Sequence, residues 1–252
     1  MRDSRDSEKQ TVIYGRNPVR EALRGGRTLH KVLVARGADP RLFRELRELA
    51  GPAGIPVQVV ERPLLDQLTG GGAAHQGVAA TVSVKDFVAV EALLTGENPL
   101  LVVLNAVQDP RNLGAILRTA EAAGVDGAVV PSRRAAPLTP AAAKTAAGAV
   151  EYLPVARVTN IALTLREFKQ KGLWVVGADP EAPVSYWDAD LGGPLALVIG
   201  GESAGLGRAV HAECDSLVRI PMSGRVGSLN ASVAAALLIY EAVRQRRAGG
   251  SR

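Results

Sequence analysis

The sequence predicts an α/β protein with a mostly parallel C-terminal sheet, preceded by a smaller α/β domain. Apolar runs and helical patterns alternate along residues 99–252, and most runs are continuous, as strands buried on both faces require. A polar stretch, TGENP, separates them from an earlier group of short elements. The predicted organisation is a flexible N-terminus at 1–9, a small domain at 10–85, a linker at 86–98 and a larger domain at 99–252.

The composition excludes several classes of protein. Hydrophobic residues make up 47% and charged residues 22% of 252 residues, which indicates a globular chain rather than a disordered one. No apolar run is long enough to span a membrane, and the polar first ten residues lack the apolar core of a secretory signal, so we expect a cytoplasmic protein. A single cysteine, Cys214, excludes an internal disulfide, and with three scattered histidines it predicts no metal site.

The small domain shows short strands that alternate with capped helices. TVIYG, KVLVA, PVQVV and VAATVSV are strand candidates. Asn17 and Pro18 predict an N-cap and a first-turn proline for the helix at VREAL. Asp39 and Pro40 repeat this arrangement before the amphipathic run RLFRELRELA.

Basic residues are concentrated in the first part of this domain. Residues 9–36 hold seven basic side chains against one acid, Glu21. Such a cluster attracts a phosphate backbone, although a solvated arginine-rich face is the alternative. The chain has only three Phe, four Tyr and two Trp, which argues against a platform that stacks nucleobases.

Three loops of the larger domain are rich in Gly, Asn, Ser and Glu. Each lies next to a predicted strand or helix. The first follows the strand LLVVL, where Asp109 and Pro110 predict a turn and Asn112 a helix cap. That helix ends at a glycine, and Arg118 lies three residues before Glu121, so a surface ion pair is an alternative to a catalytic role.

The second loop follows the buried strand LALVIG. Gly200 and Gly201 would let a ligand lie against the backbone, and Glu202 comes directly after them. A tight turn with an exposed acid is the alternative interpretation. The pattern is neither a Walker loop nor GxGxxG, which argues against nucleoside triphosphates and against an oxidoreductase with an ordinary dinucleotide site.

The third loop precedes the long C-terminal helix. Ser228 and Asn230 stand where they could cap this helix or present polar groups to a ligand at its N-terminus. The apolar residues Val233, Leu237, Leu238 and Tyr240 on that helix could serve a core or an interface.

These three loops, DPRNLGAILRTAEAAG, LALVIGGESAGL and IPMSGRVGSLNASVAAALLIYEA, resemble the three motifs of SPOUT methyltransferases of the TrmH type. VIYGRNPVREAL through HQGVAA resembles the auxiliary RNA-binding domain of the RlmB-like branch, which methylates the 2′-OH of a guanosine in 23S rRNA of the large subunit. The resemblance implies a deep trefoil knot, S-adenosylmethionine as cofactor and a homodimer.

The resemblance also implies site residues. Those expected against the cofactor are Gly177, Ala178, Gly200, Gly201, Ile220, Met222 and Leu229. Those expected to form the active site are Asn112, Arg118, Glu202, Ser228 and Asn230. RNA contacts are expected from Arg16, Arg20 and Arg24. Alternatives are a tRNA or antibiotic-resistance-type rRNA methyltransferase, and an RNA-binding scaffold without catalysis.

Overall fold

The computed structural model describes residues 10–71, 74–83, 87–133, 140–201 and 205–249. The chain forms two compact units. The first unit contains the chain up to Asp86 together with a later segment, Ala143–Tyr152, and the second contains Phe87–Ala142 and everything from Leu153 onward. No described helix is both long and apolar enough to cross a lipid bilayer.

The first unit is built on a four-stranded mixed sheet. Its elements are β1 (Gln10–Tyr14), α1 (Arg16–Arg24), β2 (Leu29–Ala35), α2 (Pro40–Ala50), β3 (Val57–Val60), α3 (Arg62–Leu68) and β4 (Val78–Ser83). The strand order is β1-β4-β2-β3, with β4 antiparallel to both neighbours and β2 parallel to β3. The apolar faces of α1 and α2 pack on this sheet around the fully buried Val19, Val32 and Leu46.

The helix starts of this unit confirm one predicted cap and correct another. Asp39 caps α2 as predicted, since its carboxylate accepts a hydrogen bond from the backbone N–H of Arg41 at 2.9 Å. The prediction for Asn17 was wrong: α1 already begins at Arg16, after Gly15 with its φ of 102°. Asn17 therefore lies inside the helix, where its side chain accepts a hydrogen bond from Arg20.

The segment Ala143–Tyr152 is fixed to the rest of the first unit by a buried ion pair and by an exposed hydrogen bond to α1. Arg27 Nη1 donates to Glu151 Oε1 at 2.8 Å, and the two side chains are only 10% and 4% exposed. The Tyr152 hydroxyl donates to Glu21 at 2.7 Å, which raises the pKa of Tyr152. This part of the later sequence is therefore an integral piece of the first unit.

The second unit is built on a seven-stranded sheet of order β7-β6-β5-β10-β8-β11-β9, and every recorded pairing in it is parallel. Its strands are β5 (Leu100–Asn105), β6 (Gly127–Pro131), β7 (Val155–Val158), β8 (Trp174–Ala178), β9 (Val184–Ser185), β10 (Leu195–Gly200) and β11 (Ser216–Arg219). Its helices are α4 (Pro110–Ala123), α6 (Ile161–Gln170), α7 (Gly207–His211) and α8 (Ala231–Gly249), and α5 (Pro140–Thr145) spans the boundary between the units. The predicted α/β class with a parallel sheet is confirmed; the trefoil knot stays a prediction.

The central strands of this sheet are buried on both faces. Residues 100–104 of β5 and 195–199 of β10 are at most 2% exposed, and the two strands pair in parallel register from Leu195 opposite Leu100. Continuous apolar runs are what such strands require. Residues 87–98, predicted as a linker, lie in this unit, and Leu93 is fully buried against Gly127.

Candidate active site

A cavity of about 280 Å³ opens at the carboxyl ends of β8, β10 and β11. Its walls come from three separate segments: residues 178–180 after β8, residues 199–201 and 205 at the end of β10, and residues between 218 and 234. Ligands of parallel sheets bind at this edge, because the strands end there and the loops are free to diverge. We call it the glycine-walled cavity, since four glycines line it.

Six of the seven residues expected to contact a cofactor line this cavity: Ala178, Gly200, Gly201, Ile220, Met222 and Leu229. The seventh, Gly177, does not. A Cβ at Gly177 would lie 2.7 Å from Cys214 Sγ and 2.7 Å from Leu206 Cδ1, so its missing side chain makes room for packing behind the strand.

The end of β10 shows why glycine is needed beside the cavity. A Cβ at Gly200 would lie 2.5 Å from the carbonyl carbon of Gly205 and 2.6 Å from its oxygen. Gly205 in turn donates its N–H to the carbonyl of Gly201 at 3.0 Å and has a φ of 54°. The backbone therefore folds tightly back on the strand end, and any side chain at Gly200 would push it apart.

The first and third loops meet through two amide side chains. Asn230 Nδ2 donates to Asn112 Oδ1 at 3.0 Å, and Asn112 is only 8% exposed. Asn230 also caps α8, because its Oδ1 accepts hydrogen bonds from the N–H and the hydroxyl of Ser232. The prediction that Asn112 caps α4 was wrong: Asp109 is the cap and bonds the N–H of Arg111 at 2.7 Å, which leaves Asn112 inside the first turn and facing Asn230.

A smaller cleft of about 80 Å³ adjoins the glycine-walled cavity. It is lined by residues 106–109, Asn112, Gly201 and Ala231, and we call it the polar cleft. Gly201 and Ala231 line both spaces, so the two share a wall. Ala106, at the entrance to this loop, has a φ of 61°, a strained conformation for a residue with a side chain. Such strain is concentrated at functional sites.

Arg118 lies apart from both spaces. It follows Asn112 on α4 by six residues, which is about 9 Å along the helix axis and on a different helix face. Its side chain is exposed, and within the described residues it forms no ion pair or hydrogen bond, including the alternative pair with Glu121. Ser228 lines the glycine-walled cavity. Glu202 lies outside the described residues.

One acidic group in the cavity wall was missed by sequence reasoning. Asp179 lines the glycine-walled cavity directly after β8, and its carboxylate accepts a hydrogen bond from the N–H of Glu181 at 2.8 Å. It gives an otherwise largely apolar cavity a negative charge. Its position at the carboxyl end of a parallel strand is the signal that could have identified it.

The three arginines expected to contact RNA do not share one environment. Arg20 is held by a bidentate ion pair with Glu45, at 2.6 and 2.9 Å, and this contact lowers the pKa of the Glu45 carboxyl. Arg24 donates to Glu21 at 3.1 Å. Arg16 instead lines a separate pocket in the first unit.

Comparisons with known proteins agree with this architecture. A model described as the SpoU rRNA methylase family matches residues 99–240, and one described as RNA 2′-O ribose methyltransferase substrate binding matches residues 12–88. YacO of Bacillus subtilis (strain 168), which is named for the TrmH family of tRNA/rRNA methyltransferases, is 44% identical over 249 residues, covering 97% of this chain and 99% of its own.

Two solved structures share the fold over nearly the whole chain. The SpoU methyltransferase AviRb from Streptomyces viridochromogenes, in complex with its cofactor AdoMet, has a TM-score of 0.82 at 28% identity and covers 99% of this chain and 95% of its own. An RNA 2′-O ribose methyltransferase has a TM-score of 0.81 at 32% identity, covering 98% and 93%. The parallel sheet, the converging loops and these matches show that the chain belongs to the SpoU/TrmH family of RNA methyltransferases.

Proposed function

We propose that the protein transfers a methyl group from S-adenosylmethionine to a ribose 2′-OH in 23S rRNA, with a guanosine as the expected nucleotide. The observation that carries this proposal is the wall shared by the glycine-walled cavity and the polar cleft. A methyl donor and a ribose held in the two spaces would be neighbours, as a direct transfer requires. The description of the matched family as an rRNA methylase and the AdoMet bound to AviRb support it.

The residues of the cavity fit the cofactor. Gly200 and Gly201 present backbone where a Cβ would collide with neighbouring main chain, and the carboxylate of Asp179 favours a positively charged ligand. When bound, S-adenosylmethionine supplies an electrophilic methyl group on a cationic sulfur. Asn112 and Asn230 fix the wall of the polar cleft in which the ribose would be held.

The chain's own groups must also position the 2′-hydroxyl and allow it to lose its proton. None of the described residues that line either space is a histidine, so the commonest general base is missing there. On the family resemblance we assign Arg118, which lines neither space, the task of orienting the hydroxyl through the neighbouring phosphate, because a guanidinium stays protonated and forms a fork of donors. Ser228 and Glu202 complete the proposed site.

A homodimer is part of this proposal. Leu238 is buried in the core of the chain, whereas Val233, Leu237 and Tyr240 are 46%, 37% and 52% exposed and follow one another along one face of α8. A second copy covering this stripe would bury it. Leu237→Glu is expected to convert the dimer to a monomer in light scattering, and a wild type that is monomeric at micromolar concentration would contradict this part.

The test of the reaction is Arg118→Ala, and its matched control is Arg111→Ala, which removes another exposed arginine of α4. Methyl transfer to rRNA should fall at least ~100-fold for Arg118→Ala, because a positioning contact is lost. Calorimetry should show unchanged affinity for S-adenosylmethionine in both variants. Equal activity of the two variants would return Arg118 to the role of a surface residue, and absence of cofactor binding in the wild type would overturn the proposed function.

The matched relative named for tRNA/rRNA methylation keeps a tRNA substrate as a second candidate. Mapping 2′-O-methyl groups on rRNA and tRNA from cells with and without the gene distinguishes the two. A missing methyl group on large-subunit rRNA supports the proposal; one missing from tRNA, or none missing, supports the tRNA enzyme or the silent scaffold.

A further inference from the structure

The first unit contains a pocket of about 540 Å³ surrounded by three arginines. Arg16 at the start of α1, Arg36 directly after β2 and Arg62 at the start of α3 all line it. The residues between them are mainly glycine, alanine and the amide of Gln76. We call this space the arginine pocket.

A buried hydrogen-bond network holds the rim of the pocket in place. His75 is 2% exposed, and its Nδ1 accepts the backbone N–H of Gly77 at 3.0 Å. Its Nε2 therefore carries the proton and donates to Asp66, also at 3.0 Å. The two bonds fix a turn in which Gln76 and Gly77 have φ values of 55° and 78°.

This turn is strained and is tied to the start of α1. Gln76 adopts a conformation that residues with side chains rarely take, and its side-chain oxygen accepts the backbone N–H of Arg16 at 3.0 Å. Among the described residues the Gln76 amide nitrogen donates to no partner, so its two N–H groups are available to a ligand. The rim is therefore prebuilt, because a buried histidine and a side chain cap impose a shape that the chain does not favour by itself.

The arginines of this pocket are more available than Arg20 and Arg24. Arg16 and Arg62 form no side-chain ion pair or side-chain hydrogen bond within the described part of the chain. Arg36 pairs with Glu61 at 2.6 Å, but both side chains are more than two-thirds exposed, so a ligand can displace this contact at little cost. Asp39, the acid in the lining, already accepts the N–H of Arg41 as a helix cap.

We infer that the arginine pocket binds one unpaired nucleotide of the substrate RNA, chiefly through its phosphate. Guanidinium groups form bidentate hydrogen bonds to phosphate, and the Gln76 amide adds donors beside them. The concave shape suits a nucleotide turned out of a helix, whereas paired RNA presents a wide, shallow groove. No aromatic ring lines the described pocket, so phosphate contacts rather than base stacking would carry the affinity.

This inference rests on the proposed function for the identity of the ligand. The test compares Arg36→Ala/Arg62→Ala with the control Arg41→Ala/Arg44→Ala, which removes the same charge from exposed positions on α2. The probe is a fluorescent rRNA hairpin with one bulged nucleotide, together with the same hairpin fully paired. Fluorescence anisotropy is recorded across salt concentrations, and melting temperatures check that both variants are folded.

The pocket variant should bind the bulged hairpin roughly 10- to 100-fold more weakly and lower the salt slope by about 1.5 to 2, as expected for two lost phosphate contacts. The control should change affinity less than about threefold, since long-range attraction is screened. The bulged hairpin should bind wild type more tightly than the paired one. The charge-retaining Arg36→Lys/Arg62→Lys should keep most of the slope and lose part of the affinity.

Three results would overturn the inference. They are equal weakening by the pocket and control variants, equal binding of bulged and paired hairpins, and binding of free guanosine monophosphate as tight as that of the hairpin. The last result would identify the ligand as a free nucleotide. Calorimetry with S-adenosylmethionine separates this test from the proposed function, because it measures cofactor binding with no RNA present.

Discussion

The glycine-walled cavity of the second unit and the arginine pocket of the first unit are both concave, but they are lined in opposite ways. The cavity is formed by glycine backbone and mainly apolar side chains, and its wall at Gly200 and Gly201 leaves no room for a Cβ atom. The pocket is formed by long cationic side chains on a rim held by a buried histidine. The ends of the strands therefore fix the glycine-walled cavity. The arginine pocket depends instead on which of its arginines are not held by an acidic side chain.

The largest effect that we expect is on the stability of the first unit, which contains arginines paired with acidic side chains of the same unit. Glu151→Ala removes the partner of the buried Arg27 and leaves that charge uncompensated. Loss of one partner of a buried ion pair costs about 3–5 kcal/mol. Urea denaturation should show this loss for the first unit, and Glu48→Ala, an exposed acid on α2, should change stability by less than ~0.5 kcal/mol.

If Glu151→Ala proves as stable as Glu48→Ala, the arginines of the first unit do not require their internal partners. The contrast between paired and free arginines would then lose its energetic basis.

The next effect tests the glycine wall of the cavity in the second unit. Gly200→Ala places a Cβ against the backbone of Gly205 and should weaken S-adenosylmethionine binding by at least ~100-fold, because the cavity wall must move. Calorimetry measures the affinity. Gly193→Ala is the matched control, since a Cβ there meets no atom within 4 Å. Retained affinity in Gly200→Ala would show that the wall yields and that missing side chains do not define the cavity.

A moderate effect is expected where the two helices of the site meet. Asn230→Ala removes both the cap of α8 and the donor to Asn112, and should cost about 1–3 kcal/mol. Asn230→Ser can still cap the helix but cannot reach Asn112, so its stability should be intermediate. Thermal unfolding of the two variants separates the contributions, and equal melting temperatures for wild type and Asn230→Ala would contradict the assignment.

A further effect concerns the packing behind the cavity. Burial raises the pKa of the Cys214 thiol to about 11, so roughly one molecule in a thousand carries a thiolate at pH 8. Iodoacetamide should alkylate Cys214 far more slowly than a free thiol, with a rate that rises with pH toward that pKa. Mass spectrometry measures the rate, with urea-unfolded protein as the control. Equal rates in folded and unfolded protein would contradict the close packing around Gly177.

Local signals predicted much of the fold and of the cavity. Asp39 before Pro40, the continuous apolar strands and the glycine pair at the end of β10 act over a few residues, so their structural meaning can be read from the sequence. Local signals could not predict the contact between Asn112 and Asn230, because the two residues lie 118 positions apart, and only the family resemblance assigned both to one site. The ion pair between Arg20 and Glu45 could not be predicted either. The number of charges in the segment does not indicate that Arg20 is paired and that Arg16 lines a pocket.

The non-contiguous first unit limits how this protein can be dissected. A fragment ending at Asp86 would contain Arg27 but not Glu151, and Glu21 without the hydroxyl of Tyr152. Such a fragment would leave the charge of Arg27 without its carboxylate partner, so grafting the proposed RNA-binding unit onto another enzyme would require residues 143–152 as well.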